Sequence, residues 1–261
     1  MDDISLDENK EKLRHDKEYK KVENENLLIE PIHYQKFEKI ETHIHCYTYA
    51  VKCLGDIKGQ KVLDLGCGTG WFSVILAKRG AVVEGIDIST TAIEIAKKRA
   101  NINSVSDIVR FRVMSFYNLD FPDEYFDKII GLSALHHMSD KKLLCNSLYK
   151  ILKPYGKVVF NEPFGNSTIL ERLRLFVPIA VQEEDRSHWN EQVKYRDFEL
   201  FKDKFYVECE EFQFFSRLDR IFKQEWIINF LGIFDVKFLK MFPFLRKYAR
   251  DIVIILRKNN I

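Results

Sequence analysis

The chain has 261 residues, 31% of them charged, with 41 Lys and Arg against 39 Asp and Glu, a formal charge of +2 and a pI near 8.1. That length suits one large α/β domain with an elaboration. The even charge balance, with no basic stripe interleaved with aromatics, gives no reason to expect a nucleic-acid partner. No apolar run reaches the ~18–20 residues of a membrane-spanning helix. The N-terminus is charge-dense, unlike a signal peptide. The five cysteines, Cys46, Cys53, Cys67, Cys145 and Cys209, show no C-x-x-C spacing, which points to reduced thiols in the cytoplasm and to no metal site.

In chain order, residues 1–30 are about half charged with mixed signs, and read as a charged leader or helix, either solvated or closing as a lid over substrate. Residues 31–58 place Tyr34, Phe37, Ile40, Ile44, Tyr47 and Val51 mostly three or four apart, which predicts one or two helices leading to the first strand. His43, His45 and Cys46 lie here but lack further ligands at metal-binding spacing.

The stretch 61–73, K-V-L-D-L-G-C-G-T-G-W-F-S, carries the strongest signal. Val62, Leu63 and Leu65 suit a strand buried on both faces. Gly66, Gly68 and Gly70 then form a turn, and Trp71, Phe72, Ile75 and Leu76 repeat at helical spacing. Such a turn aims backbone N–H groups and a helix N-terminus at a ligand, and glycine lets that ligand approach closely. Trp71 stands where a dinucleotide fingerprint has its third small residue. Asp87, closing the run V-V-E-G-I-D, suits ribose hydroxyls at the end of the second strand. Asp64 is a second carboxylate read as facing the loop, repelling a pyrophosphate and favouring an ammonium or sulfonium.

Strands are predicted near 61–66, 82–87, 108–114, 127–133 and 156–162, and helices near 69–80, 90–103 and 139–152. Ser89 or Thr90 caps the second of these helices. This alternation predicts a parallel sheet with right-handed crossovers and a ligand at the strands' carboxyl ends. Farther on, Ile169 to Phe176 reads as helical, Tyr206 to Phe215 alternates partly as a strand, and 218–250 is an apolar helical insert with Lys and Arg. Ile252 to Leu256 reads as a buried final strand.

V-L-D-L-G-C-G-T-G followed by G-I-D-I-S resembles the class I S-adenosylmethionine-dependent methyltransferases. F-P-D-E-Y-F-D at 121–127, A-L-H-H-M at 134–138 and L-K-P-Y-G at 152–156 look like later landmarks of that family, so the resemblance spans roughly residues 45–163. It implies a Rossmann-like, doubly wound, seven-stranded, mostly parallel sheet with an antiparallel last strand, an N-terminal helical cap and a helical insert before that strand. The implied domain covers 31–261, with a cap at 31–58, a cofactor-binding core at 59–163, a substrate-region elaboration at 164–250 and the last strand at 251–258. S-adenosylmethionine (SAM) is the implied cofactor, held by Asp64, Gly66, Cys67, Gly68, Gly70, Asp87, Ile88, Ser115, Phe116 and Ser133. Ser115 departs from the acidic residue many relatives use for the adenine amino group, and Tyr155 from the usual glycine. E-P-F-G-N at 162–166 and the apolar insert resemble methyltransferases of bacterial polysaccharide and glycolipid assembly.

The implied reaction is methyl transfer to a small-molecule, glycan or lipid-linked acceptor, with O-methylation favoured over C- or N-methylation. For a hydroxyl acceptor the candidate base is His137 or its neighbour His136, with His188 a further candidate. Glu162 is expected to orient a turn. The alternatives are a SAM-binding regulatory subunit without turnover, a C- or N-methyltransferase of a quinone- or polyketide-like molecule, and a nicotinamide oxidoreductase, which the missing third glycine and Asp64 oppose. The insert's apolar and basic residues suit peripheral membrane contact or a roof over the substrate pocket. A monomer or homodimer is expected.

Overall fold

A computed structural model describes residues 3–21, 26–31, 46–166, 192–215 and 224–258. Seven strands form one sheet: β1 (Lys61–Leu65), β2 (Val82–Asp87), β3 (Val109–Val113), β4 (Phe126–Leu132), β5 (Leu152–Pro163), β6 (Phe205–Phe212) and β7 (Asp251–Lys258). Their order is β3-β2-β1-β4-β5-β7-β6. β1 to β5 are parallel, and β7 runs antiparallel between β5 and β6. The described helices are α1 (Asp3–Lys21), α2 (Cys46–Leu54), α3 (Trp71–Lys78), α4 (Thr90–Ile102), α5 (Lys141–Ile151), α6 (Tyr195–Glu199) and α7 (Glu225–Met241). The doubly wound arrangement with an antiparallel last strand is therefore the one expected. The expected helix at 169–176, the candidate His188 and the pair His43 and His45 lie outside the described residues.

Strand parity divides the core. Val62 of β1 joins Val83, Ile130 and Val159 beneath α2, α3 and α4, while Leu63 and Leu65 join Ile129, Val158 and the buried face of α5. All three apolar residues of β1 are fully buried, as a central parallel strand requires. Ser89 caps α4, its Oγ accepting from Ala92 N at 3.0 Å, and Ala92, Ile93, Ala96 and Ala100 are buried. Asn103, at the other end of α4, anchors the segment before α2: its Nδ2 donates to Leu27 O at 2.9 Å and its Oδ1 accepts from Ile29 N at 2.8 Å.

Candidate functional site

β1 and β4 are neighbours across the reversal of strand order, so their carboxyl ends open on one crevice. A cleft of about 800 Å³ lies there. The sheet side of its lining comes from Gly66, Asp87, Ile88, Phe116, Leu132 and Ser133, and a short turn after β4 adds Ala134 and the two histidines His136 and His137. Gln192, Lys194, Arg196 and Asp197 close one margin.

The glycine turn is built by packing as much as by openness. Gly66, Gly68 and Gly70 all have positive φ, at 76°, 50° and 75°. Gly66 N and Cys67 N donate to Ile86 O, tying the turn to β2. Arg99 of α4 donates from Nη1 to the carbonyl and hydroxyl oxygens of Thr69. The Asp87 carboxylate accepts from Gly68 N on Oδ2 and from Ser89 N on Oδ1, each at 2.9 Å. Burial raises its pKa against the pull of those two N–H groups.

Of the residues read as cofactor contacts, Gly66, Asp87, Ile88, Phe116 and Ser133 line the cleft. The walls do not include Asp64, Cys67, Gly68, Gly70 or Ser115. Asp64 shares the parity of Val62, so its side chain meets α3, not the loop mouth, and accepts from Ser73 Oγ at 2.5 Å. Burial pushes its pKa up to about 7, opposed by the Ser73 bond and reinforced by the Asp87 charge. Cys67 is buried, and desolvation raises its thiol well above the ordinary value. The Ser115 hydroxyl donates to the Glu8 carboxylate of α1.

Asp64 makes a testable contribution to stability. Its folded pKa of about 7 exceeds the ordinary 3.8 of the unfolded chain, so between these pH values the fold holds a proton that the unfolded chain has lost. Its stabilising share is complete below the unfolded pKa and is lost as pH rises through about 7. The difference is of the order of 4 kcal/mol at ~1.4 kcal/mol per pKa unit. Urea titrations of wild type and Asp64→Asn are expected to show the wild type losing stability relative to the variant from about pH 4 to pH 7. Parallel curves would refute the shift.

Sequence reasoning held a lid over substrate as one alternative for the segment of α1, but singled out none of its residues. Glu8, Glu11, His15 and Tyr19 line the cleft, and their spacing of three, four and four puts them on one helical face. That spacing, within an otherwise polar leader, was the available signal. A Cβ built on Gly68 would lie 2.9 Å from the Tyr19 hydroxyl. Asp16 accepts from Ser89 Oγ at 2.5 Å and from Thr91 N at 3.1 Å, fixing α1 to the start of α4. Glu11, His15 and His137 bring ligand-type atoms within 4.8 Å of one another, and the Arg14 guanidinium already stands 2.7 Å from Glu11 Oε2. Burial works to raise the Glu11 pKa, but the hydrogen bonds of His15 and Arg14 override it and hold the carboxyl near 2.

The two histidines differ in their surroundings. Glu162, fully buried at the end of β5, accepts from Ala134 N and Leu135 N at 2.8 Å on Oε1, and from His136 N at 3.3 Å on Oε2. The same Oε2 lies 2.7 Å from His136 Nδ1. A carboxylate already accepting three N–H groups assigns the imidazole proton to Nδ1, leaving the Nε2 lone pair available. His137 stacks obliquely on His136, with ring centroids 3.9 Å apart, and its Nδ1 is 3.7 Å from Glu11. Burial and the adjacent His136 depress the His137 pKa to about 3, against the opposing Glu11 charge. His137 is thus neutral and a weak base at pH 7.

Residues 63–160 match the model of the family described as "Methyltransferase domain". The ubiquinone biosynthesis O-methyltransferase of Alkalilimnicola ehrlichii is 35% identical over 114 residues, 43% of this chain and 45% of the relative. Methyltransferase GfsG of Streptomyces halstedii is 33% identical over 112 residues, 42% of this chain and 40% of the relative. The chain thus spans less than half the length of these relatives. Among solved structures, geranyl diphosphate C-methyltransferase from Streptomyces coelicolor A3(2), in complex with Mg2+, geranyl diphosphate and S-adenosyl-L-homocysteine, aligns with TM-score 0.59 at 16% identity, covering 81% of this chain and 77% of that one. The [4+2]-cyclase SpnF aligns with TM-score 0.57 at 17% identity, covering 80% and 79%.

Residues 63–160 thus match a methyltransferase domain, and the sheet that carries them has the fold of these solved structures. The residues present fit SAM as cofactor: the buried Asp87 carboxylate borders the cleft with acceptor capacity beyond its two backbone donors, and Gly66 opens directly onto it.

Proposed function

We propose that this chain transfers a methyl group from SAM to a hydroxyl of a small-molecule, glycan or lipid-linked acceptor. One observation carries the reading: Gly66 and Asp87 border the same cleft as His136, whose Nδ1 meets the buried Glu162 carboxylate behind it. When bound, SAM supplies an electrophilic methyl on a sulfonium. Asp87 would hold the ribose hydroxyls, and Phe116 and Ile88 would border the adenine. Orienting the two reactants is worth ~7–11 kcal/mol. His136 Nε2 takes the acceptor's hydroxyl proton as its oxygen becomes the nucleophile, and Glu162 stabilises the resulting imidazolium through Nδ1–H. His137, the other candidate base, is the weaker one because of its depressed pKa. The ubiquinone biosynthesis O-methyltransferase is a precedent for O-methylation in a relative of this core.

Calorimetry should show SAM and S-adenosylhomocysteine binding far more tightly than NAD. Charged hydrogen bonds are worth ~1.5–3 kcal/mol each, so Asp87→Ala is expected to weaken S-adenosylhomocysteine binding at least about tenfold with circular dichroism unchanged. Unaltered affinity in that variant would remove Asp87 from the site.

A second reading, SAM binding without methyl transfer, is favoured by the side chains of α1, which enter the cleft beside Gly68 and His137. It predicts tight cofactor binding and no labelled product across hydroxyl-bearing acceptors. The five free cysteines suit a reducing, cytoplasmic compartment, and no described helix is long and apolar enough to cross a membrane.

A further inference from the structure

Helix α7 carries two apolar faces, and among the described residues only one is packed inside the protein. On the inner face Gly232, Asp235 and Leu239 are buried, and Phe238 packs with Phe214, Phe215 and Phe242. The Asp235 carboxylate accepts from Phe214 N at 3.0 Å and Phe215 N at 2.7 Å, fixing the helix's rotation against the end of β6. The opposite stripe is Trp226, Phe230, Ile233, Lys237 and Met241, at successive spacings of four, three, four and four. Trp226 is 71% exposed, Phe230 62% and Met241 67%, and Phe244 continues the surface on the following turn. Exposed apolar surface this contiguous is a mark of an interaction site.

The charges around the stripe point to its occupant. Lys237, Lys240 and Lys247 are exposed on the helix and the turn after it. Asp235 is held inside, and Arg246 is paired with Glu210 and Glu211. Apart from Glu225, the sequence from 224 to 250 has no other carboxylate. An apolar stripe headed by tryptophan and flanked by lysines matches the interface of a bilayer, with acyl chains beneath the stripe and anionic headgroups at the lysines.

We propose that the outer face of α7 docks the protein on an anionic membrane surface. The inference stands on α7 alone and does not depend on the methyl-transfer reading. The full chain should co-sediment with vesicles of one part phosphatidylglycerol to two parts phosphatidylcholine at low salt. It should bind pure phosphatidylcholine much more weakly and be released by high salt. Lys237→Ala with Lys240→Ala should lower partitioning roughly 30-fold, about fivefold per lysine. Phe230→Ser with Trp226→Ser should abolish binding, and thermal melting should confirm that both variants fold. Protein that stays in the supernatant, or binds both vesicle types alike at every salt concentration, overturns the proposal. So does a dimer seen by light scattering without lipid that Phe230→Ser splits, because the stripe would then meet a second copy of the chain.

Discussion

Glu162→Gln is expected to lower turnover by about 10²–10⁴-fold while S-adenosylhomocysteine affinity stays within a factor of about three. The amide oxygen can still accept from Ala134 N and Leu135 N, so the turn after β4 persists. The amide nitrogen then faces His136 N and Nδ1, donor against donor. The imidazole relieves that clash by moving its proton to Nε2, which removes the lone pair a hydroxyl acceptor needs. The effect should fall on kcat more than on KM, because a base acts in the transition state. His136→Ala should match it, and the double variant should be little worse than either alone, since the two residues act as a unit. His137→Ala should cost less. If Glu162→Gln and His136→Ala both retain full activity, the pair serves only to hold the turn, or the acceptor atom requires no base.

The parts of this molecule that were legible in its sequence are those whose cause is local. The run Val62, Leu63 and Leu65 ending in three glycines specifies strand and turn within a dozen residues, and Ser89 sits one position before a helical repeat that it caps. The buried last strand was visible as an unbroken apolar run, which a strand between two neighbours must be. What escaped depends on contacts distant in sequence. Glu162 read as a turn residue, and its turn is the one 28 residues earlier that carries His136. Placing it beside the candidate base needed the β4–β5 register, which pairs Leu132 with Asn161. The face of α1 escaped because its apolar content is low, and its role rests on bonds that Glu8 accepts from Ser115 and Asp16 from Ser89, with Tyr19 lying over Gly68, all partners distant in sequence. Tyr155 adopts a left-handed backbone of the kind glycine favours, with φ at 62°, and its side chain is solvent-exposed.

Gly70→Ala and Gly68→Ala are expected to fail in different ways, although the two glycines lie in one motif. A Cβ on Gly70 would stand 2.8 Å from Ala96 Cβ and 2.8 Å from a ring carbon of Phe111, both inside the core beneath α4. Neither neighbour has a flexible end to withdraw. With φ at 75°, left-handed backbone adds ~1–2 kcal/mol to an overpacking cost of ~1–3 kcal/mol, so Gly70→Ala should destabilise by roughly 2–5 kcal/mol. At Gly68 the nearest atom to an added Cβ is the Tyr19 hydroxyl, at the far end of a side chain, and φ is 50°. Only the backbone term then applies fully, about 1–2 kcal/mol. Its larger effect should be on the cofactor, because the added methyl enters space above the turn where a ligand approaches the backbone. Chemical denaturation should therefore rank Gly70→Ala as the less stable variant, and calorimetry should rank Gly68→Ala as the weaker binder of S-adenosylhomocysteine. Gly68→Ala, Tyr19→Phe removes the close hydroxyl but leaves the backbone strain, so it should recover little stability and no binding. If it recovers both, Tyr19 is the group that Gly68 accommodates, and the cofactor does not approach the turn there.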